Sequence, residues 1–249
     1  DENNCLRVTD GSFTWLAKTV VSATGTWSNP IIPSIKGQQA YLGEQCHSAH
    51  YEGPDAYRNK RVLVVGGGNS GAQIYAELAE VANASWVTRE PPLFLADDVD
   101  GRVLFERATA RITGSNNGDP EGGIGDIVMV PPVKAARDKG ILHSVPMFSQ
   151  FTQQGVIWAD GSEETIDAVI WCTGFEPNLD HLAPLNVLEA DGKVQVKDGQ
   201  AVKEPRLWLF GYGDWASPGS ATLIGAGRSA RENVPTRDLP EICVSLAQS

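Results

Sequence analysis

Basic residues are scarce in this chain: Lys and Arg number 20 against 31 Asp and Glu, giving a formal net charge of −11 and a pI near 4.8. A nucleic-acid ligand calls for a basic footprint, so DNA and RNA are not expected as principal partners. Cysteine is scarcer still, with only Cys5, Cys46, Cys172 and Cys243 and no C-x-x-C pair. That leaves no zinc knuckle, no redox dithiol and no dense disulfide framework. No apolar run approaches the ~18 residues of a membrane span, so no membrane partner is expected. The first residues, Asp1-Glu2-Asn3-Asn4, show neither a basic n-region nor an apolar h-region, and the plain expectation is a cytoplasmic, reduced protein. Charged residues make up 20% of the chain and hydrophobic ones 41%, which excludes disorder and supplies a core.

Glycine, by contrast, is abundant, at 26 of 249 residues. Part of that excess belongs to an internal repeat. Leu6-Arg7-Val8 leads into Asp10-Gly11-Ser12, and an apolar strand Thr19-Val20-Val21-Ser22 ends in Ala23-Thr24-Gly25. Later, Val156-Ile157-Trp158 leads into Asp160-Gly161-Ser162, and Ala168-Val169-Ile170-Trp171 ends in Cys172-Thr173-Gly174. Each copy reads as a hairpin turned at Asp-Gly, whose second strand enters a buried sheet and stops at Thr-Gly.

Between the copies lies one dinucleotide-binding unit. Arg61–Val65 is a short β-branched strand, Gly66-Gly67-Gly68-Asn69-Ser70-Gly71 follows, Ala72 to Ala82 has helical apolar spacing, and Ser85–Thr88 is the next strand. The spacing G-x-G-x-x-G carries weight because it stands between a strand and a helix. Gly66 permits a tight turn, Gly68 admits a pyrophosphate against the backbone, and Gly71 lets helix and strand pack closely, with Asn69 and Ser70 opening the helix over the anion. Arg89, after Thr88, stands where an Arg meets the 2′-phosphate of NADP, although Glu90 beside it would suit NAD. The second repeat copy closes this domain, whereas the first has no glycine fingerprint before it. An earlier dinucleotide-binding start upstream of Asp1 is therefore expected.

The remaining segments are less regular. Residues 114–123 are rich in Gly, Asn and Pro and read as a long loop or insertion. Pro131-Pro132-Val133 to Lys139-Gly140 reads as a helix opened by proline and closed by glycine. Arg206–Phe210 reads as a buried strand running into Gly211-Tyr212-Gly213-Asp214, and Ser220 to Glu232 as a last helix with a serine cap.

Together these motifs resemble the flavin-containing monooxygenases, in particular the bacterial enzymes similar to both that class and the Baeyer–Villiger enzymes. The signature F-x-G-x-x-x-H-x-x-x-[Y/W/F] is met by Tyr41, Gly43, His47 and Tyr51, with Tyr for the leading Phe. The fingerprint at Gly66–Gly71, the Thr-Gly strand ends and the Gly213-Asp214 pair complete the pattern. The resemblance implies an α/β protein of two Rossmann-like dinucleotide-binding domains, the NAD(P)H domain inserted in an incomplete FAD domain: residues 1–56 and 175–249 for FAD, 57–174 for NAD(P)H. It implies FAD and NADP as cofactors, with NAD an alternative, and O2 and a small sulfide, amine or ketone as substrates oxygenated through a C4a-(hydro)peroxyflavin. A homodimer is compatible with it.

The resemblance places Thr173, Gly174, Gly213 and Asp214 at cofactor contacts, and Thr222 and Leu223 at the flavin's pyrimidine edge. His47 and His50 have no ligand-spaced partners and read as structural, His47 orienting the linker between domains. Asp97, Asp98 and Asp100 read as a solvated loop rather than a Mg²⁺ site. No Ser-His-Asp constellation is seen, and no protein general base is assigned. An NADP-binding module without catalysis is the rival reading; a disulfide reductase is opposed by the lack of C-x-x-C.

Overall fold

The structure is a computed structural model that describes residues 4–99, 103, 126–213, 215, 216, 227, 228 and 231. Its strands are β1 (Leu6–Thr9), β2 (Thr14–Ala17), β3 (Val20–Ser22), β4 (Glu44–His47), β5 (Arg61–Val65), β6 (Asn83–Thr88), β7 (Ser144–Pro146), β8 (Gln150–Phe151), β9 (Gly155–Ile157), β10 (Glu163–Thr165), β11 (Ala168–Trp171), β12 (Val196–Lys197), β13 (Gln200–Ala201) and β14 (Leu207–Leu209). Helix α1 spans Asn69–Leu78 and helix α2 spans Pro131–Asp138. The described residues form two units: one runs from the start to Asn29 and resumes at Pro177, and the other, Pro30 to Glu176, is inserted between those halves. The border expected after residue 56 thus falls at Asn29, because β4 pairs along the whole of β11 and joins the inserted unit's sheet.

That sheet is parallel, in the order β4-β11-β5-β6-β7. The chain winds outward from β5 through β6 to β7, then returns to β11 on the other flank of β5. In such a sheet the reversal between β5 and β11 opens a crevice at the carboxyl ends of the strands. The sheet is buried on both faces, as the β-branched run of β5 predicts. Val62 and Val64 of β5 and Ala168 and Ile170 of β11 face α1 and α2, packing against Ile74, Leu78, Trp86 and Val133. Leu63, Val65, Val169 and Trp171 face the other way, onto Phe148, Phe151 and Val156. The second face is covered by the antiparallel sheet β10-β9-β8, not by helices. Each fully buried Val, Leu or Ile contributes roughly 1.5–3 kcal/mol.

Three boundaries differ from the periodicity reading. Helix α1 begins at Asn69 and ends at Leu78, earlier than Ala72–Ala82, because Gly68 is its cap and the Ala82 amide closes the last turn on Leu78. β6 starts two residues before Ser85, held in register by Arg61 opposite Asn83. The apolar strands of the repeat are each separate from their hairpin. β1–β2 turns at Asp10-Gly11 and β9–β10 at Asp160-Gly161, after which β3 and β11 begin afresh in the larger sheets.

In the other unit β3 pairs parallel with β14, within the order β12-β13-β14-β3, while β1 and β2 form a two-stranded sheet of their own. Its core gathers Leu179, Leu182, Val187, Val194, Leu207 and Leu209. The repeat is thus built once into each unit. Both hairpins place glycine at positive φ (94° at Gly11, 86° at Gly161), with Asp10 and Asp160 accepting the Ser12 and Ser162 amides. Both strands stop before a Thr-Gly whose glycine also has positive φ.

Candidate functional site

A cavity of about 530 Å³ opens at the carboxyl ends of β5, β6 and β11, where the strand order reverses. Gly66 and Gly67 floor it, Cys172 and Thr173 flank it on the β11 side, and Arg89, Glu90, Pro91, Pro92 and Leu93 form the wall beyond β6. Sequence reasoning named Gly66, Arg89 and Thr173 of this set, and the folded chain brings them together. Gly68, Asn69, Ser70, Gly71, Thr88 and Gly174 follow or precede lining residues in the chain but do not line the cavity themselves. Asp214, Thr222 and Leu223 lie outside the described residues, as do the 114–123 stretch and most of the last expected helix. Gly213 belongs to the other unit, at φ 97°.

The three fingerprint glycines are required for different reasons. At Gly66, φ is 142°, and a Cβ would collide with the Cys172 carbonyl oxygen. At Gly71 a Cβ would collide with the Gly66 carbonyl oxygen and press on the Trp86 indole nitrogen. Gly68 has ordinary extended geometry, and no atom of the described residues lies within 4 Å of a built Cβ. The loop is held from beneath: the Trp86 indole N–H donates to the Gly66 carbonyl at 2.7 Å, and the Gly66 amide donates to Val87. No side chain caps α1. The first-turn amides of Asn69, Ser70 and Gly71 find no acceptor among the described residues, which leaves unpaired N–H groups at the start of the helix. Exposed Arg89 and buried Thr88 follow directly at the end of β6.

The signature spanning residues 41–51 ties β4 to β11 and contributes no side chain to the cavity. Tyr41 is buried and its hydroxyl donates to the Ile166 carbonyl at 2.9 Å, with burial pushing its pKa up to about 12. Gly43 is glycine because a Cβ would strike that hydroxyl. His47 is buried at the end of β4. Its Nδ1 accepts the Ala49 amide (3.1 Å), so Nε2 carries the proton and donates to the Gly174 carbonyl at 3.0 Å. Burial holds its pKa below the ordinary value, as this neutral tautomer requires. Tyr51 reaches Glu77 of α1 with its hydroxyl at 3.2 Å. His47 therefore orients the Thr173-Gly174 strand end, where Ile31 also bonds the Gly174 carbonyl and the Thr173 hydroxyl donates to the Ile31 carbonyl.

Two tempting chemistries find no support in the geometry. The Cys172 thiol borders the cavity, but burial pushes its pKa up to about 12, which leaves it protonated and a poor nucleophile. Asp97 is ion-paired with Arg137 at 2.5 Å and approached by Lys134, and Arg137 holds its carboxyl below the usual range. Among the described residues no group of three or more His, Cys, Asp and Glu side chains is arranged to hold a metal ion, and no helix is long and apolar enough to cross a membrane.

Several ordering side chains escaped the sequence reading. Trp86 under Gly66 is one. A second group lies in the other unit, where Tyr212 Oη meets Ser22 Oγ at 2.6 Å, Thr24 Oγ1 at 2.8 Å and the Thr24 amide at 3.2 Å, and Ser22 Oγ meets His181 Nε2 at 2.8 Å. Nothing in the spacing of residues 22, 24, 181 and 212 signals this contact.

Residues 2–103 match the family described as pyridine nucleotide-disulphide oxidoreductase. Over 92% of its length the chain is 49% identical to a doubly substituted flavin monooxygenase from Stenotrophomonas maltophilia, with a TM-score of 0.81, and it covers 65% of that chain. A flavin-containing monooxygenase from the same organism superposes with a TM-score of 0.77 at 45% identity, covering 91% of this chain and 66% of its own. The curated Arabidopsis thaliana protein named flavin-containing monooxygenase FMO GS-OX-like 9 is 36% identical over 106 residues, 23% of its length. The chain thus spans under a quarter of that curated relative and just under two thirds of either Stenotrophomonas chain.

Proposed function

For a chain related to the bacterial flavin monooxygenases, we infer that the inserted unit holds the pyridine nucleotide of an oxygenating flavoenzyme. One observation carries this reading: the glycine loop that floors the cavity with Gly66 and Gly67 leads through an open Gly68 into an uncapped helix N-terminus. The residues fit a dinucleotide. A pyrophosphate over Gly68 would take the first-turn amides of Asn69, Ser70 and Gly71, and the adenosine ribose would extend toward Thr88 and Arg89. Arg89 makes no ion pair among the described residues, which leaves its guanidinium for a 2′-phosphate and favours NADP(H) over NAD(H). Thr173 and Gly174 border the same crevice from the β11 side.

The other unit is the proposed flavin side, with Gly213, Asp214, Thr222 and Leu223 as its contacts to FAD. Among the described residues it presents no glycine loop facing a helix N-terminus. When bound, a flavin would supply the oxygen chemistry that transfers one oxygen atom to a small sulfide, amine or ketone. The part assigned to this chain's own residues is to bind and orient the reductant. A dinucleotide-binding module without turnover shares every feature of the cavity.

Calorimetry of the purified chain with NADPH, NADH and FAD, with the visible spectrum as isolated, separates these readings. NADPH binding tighter than NADH supports the nucleotide assignment. Stoichiometric FAD with substrate-dependent NADPH consumption supports the oxygenase. NADPH binding without flavin supports the module, and absence of NADPH binding refutes the assignment of the cavity.

A further inference from the structure

Asn69 follows Gly68, and sequence reasoning counts it among the cofactor contacts. Its side chain is otherwise engaged. Asn69 Nδ2 donates to the Asp126 carbonyl at 3.0 Å, and Oδ1 accepts from the Val128 amide at 2.8 Å. A primary amide offers a donor and an acceptor side by side, so it meets the carbonyl of one residue and the amide two positions on as a neighbouring strand would. The assignment of the two ends is fixed by these partners, since a flipped amide would set oxygen against oxygen and nitrogen against N–H.

The residue between those two contacts pairs in the opposite direction. The Ile127 amide donates to the Leu93 carbonyl at 2.8 Å, and its carbonyl accepts from Leu95 at 2.9 Å, making a parallel bridge to Phe94. Ile127 itself is buried against α1 and Trp86. The first residue of α1 is thereby linked through 126–128 to residues 93–95. Leu93 and Asp126 line the cavity.

We propose that Asn69 is a positioning residue that couples the phosphate end of the cavity to its outer wall. Its side chain fixes the distance between the glycine loop and the Leu93–Asp126 wall, and so sets the affinity for the nucleoside part of the dinucleotide, while only the backbone amide, which both substitutions keep, faces the pyrophosphate. This rests on the reading of the cavity as a pyridine-nucleotide site. Alanine is the best helix former, and leucine, larger than asparagine but branched at the same carbon, is close behind it, and neither can make the two hydrogen bonds, so the helix tolerates either at position 69.

The test measures, for the full chain and its Asn69→Ala and Asn69→Leu variants, the Kd of NADP⁺, the Kd of inorganic pyrophosphate and the hydrogen exchange of the Val128 amide. In both variants Val128 exchange should accelerate and NADP⁺ affinity fall by about tenfold, with pyrophosphate affinity held within about twofold, the scale of one or two lost hydrogen bonds. Pyrophosphate weakened as much as NADP⁺ would make Asn69 a direct anion contact and overturn the proposal. Faster exchange with NADP⁺ affinity unchanged would also overturn it, leaving a clamp without bearing on the ligand. Loss of the far-ultraviolet circular dichroism in both variants would place Asn69 in the general scaffold, against a role confined to the cavity. Failure of the unsubstituted chain to bind NADP⁺ would refute the underlying reading itself, before any variant is compared.

Discussion

Replacing Gly66 and Gly68 in turn by alanine separates what the fingerprint does for the fold from what it does for a ligand. At Gly66, φ is 142° and the new Cβ would collide with the backbone of Cys172, which follows β11 and donates its N–H to the Val65 carbonyl. Backbone strain of ~1–3 kcal/mol and overpacking of ~1–3 kcal/mol give Gly66→Ala a cost of about 3 kcal/mol or more. For a chain of this size, that lowers Tm by roughly 6–12 °C. At Gly68, φ is −101° and ψ is −169°, a conformation alanine adopts freely, and the built Cβ meets nothing. Reduced entropy of the unfolded chain stabilises Gly68→Ala by ~0.4–1 kcal/mol, and the weaker helix cap offsets a similar amount, so Tm should stay within about 2 °C. The same methyl occupies the space a pyrophosphate needs, and NADP(H) affinity should fall at least about tenfold, the loss of one or more amide-to-phosphate bonds. Thermal denaturation and titration calorimetry on both variants decide the matter. A Gly68→Ala chain that binds NADPH as the unsubstituted one does would refute the placement of the phosphate over Gly68, and an unchanged Tm for Gly66→Ala would refute the steric argument.

Arg89→Ala should cost ~1.5–3 kcal/mol of NADPH binding, the worth of a charge-assisted hydrogen bond, and leave NADH nearly unaffected; equal losses for the two nucleotides in calorimetry would make Arg89 an ordinary surface residue. His47 is neutral in the fold with its pKa held below the usual 6.5 by burial, so the unfolded chain binds a proton more readily. Its contribution to stability is complete above about pH 6.5 and declines as the pH falls below that, so Tm should drop between pH 7.5 and 5.5 more for the unsubstituted chain than for His47→Gln; parallel Tm curves would count against it. Asp97→Asn removes an exposed ion pair with Arg137, and neither that change nor added Mg²⁺ or chelator should move Tm beyond measurement error, whereas a Mg²⁺-dependent rise lost in the variant would restore a metal reading.

What could be seen in the sequence follows from how narrowly physics restricts a position. The glycines at 66 and 71 are restricted by a carbonyl in the space of a side chain, and the run of β5 by burial on both faces. Each leaves a residue type that can be recognised without coordinates. The border between the units was not legible in this way, because β4 (E-Q-C-H) lies at the sheet edge and carries no apolar alternation to announce it. The antiparallel layer β10-β9-β8 was legible only as a hairpin; that it covers the face where helices commonly lie depends on Phe148, Phe151 and Val156 meeting Leu63 and Val65 from far along the chain. Asn69 shows the limit within a motif: its position was informative, yet its partners, Asp126 and Val128, come from a segment nearly sixty residues away.

The two copies of the repeat carry this distinction one step further. In each, a strand runs out of a parallel pairing and ends at Thr-Gly, leaving amide and carbonyl groups beyond the last ladder bond that must find partners. In one unit a ring side chain following the neighbouring strand provides them: Tyr212, just after β14, accepts the Thr24 amide and bonds its hydroxyl. In the other, His47 closes the neighbouring strand β4 and donates to the Gly174 carbonyl. The requirement is the same, a polar-tipped ring rooted in the adjacent strand, long enough to reach past the end of the ladder. Tyrosine meets it once as an acceptor and histidine once as a donor, at unrelated distances in the chain. Glycine repeats in the sequence because few other residues adopt its positive φ at low cost, while the clamp that steadies it does not repeat, because several side chains can do that work. The Thr-Gly ends were therefore visible as a pattern, and the groups that fix their orientation beside the strand termini emerge only when the sheets are assembled.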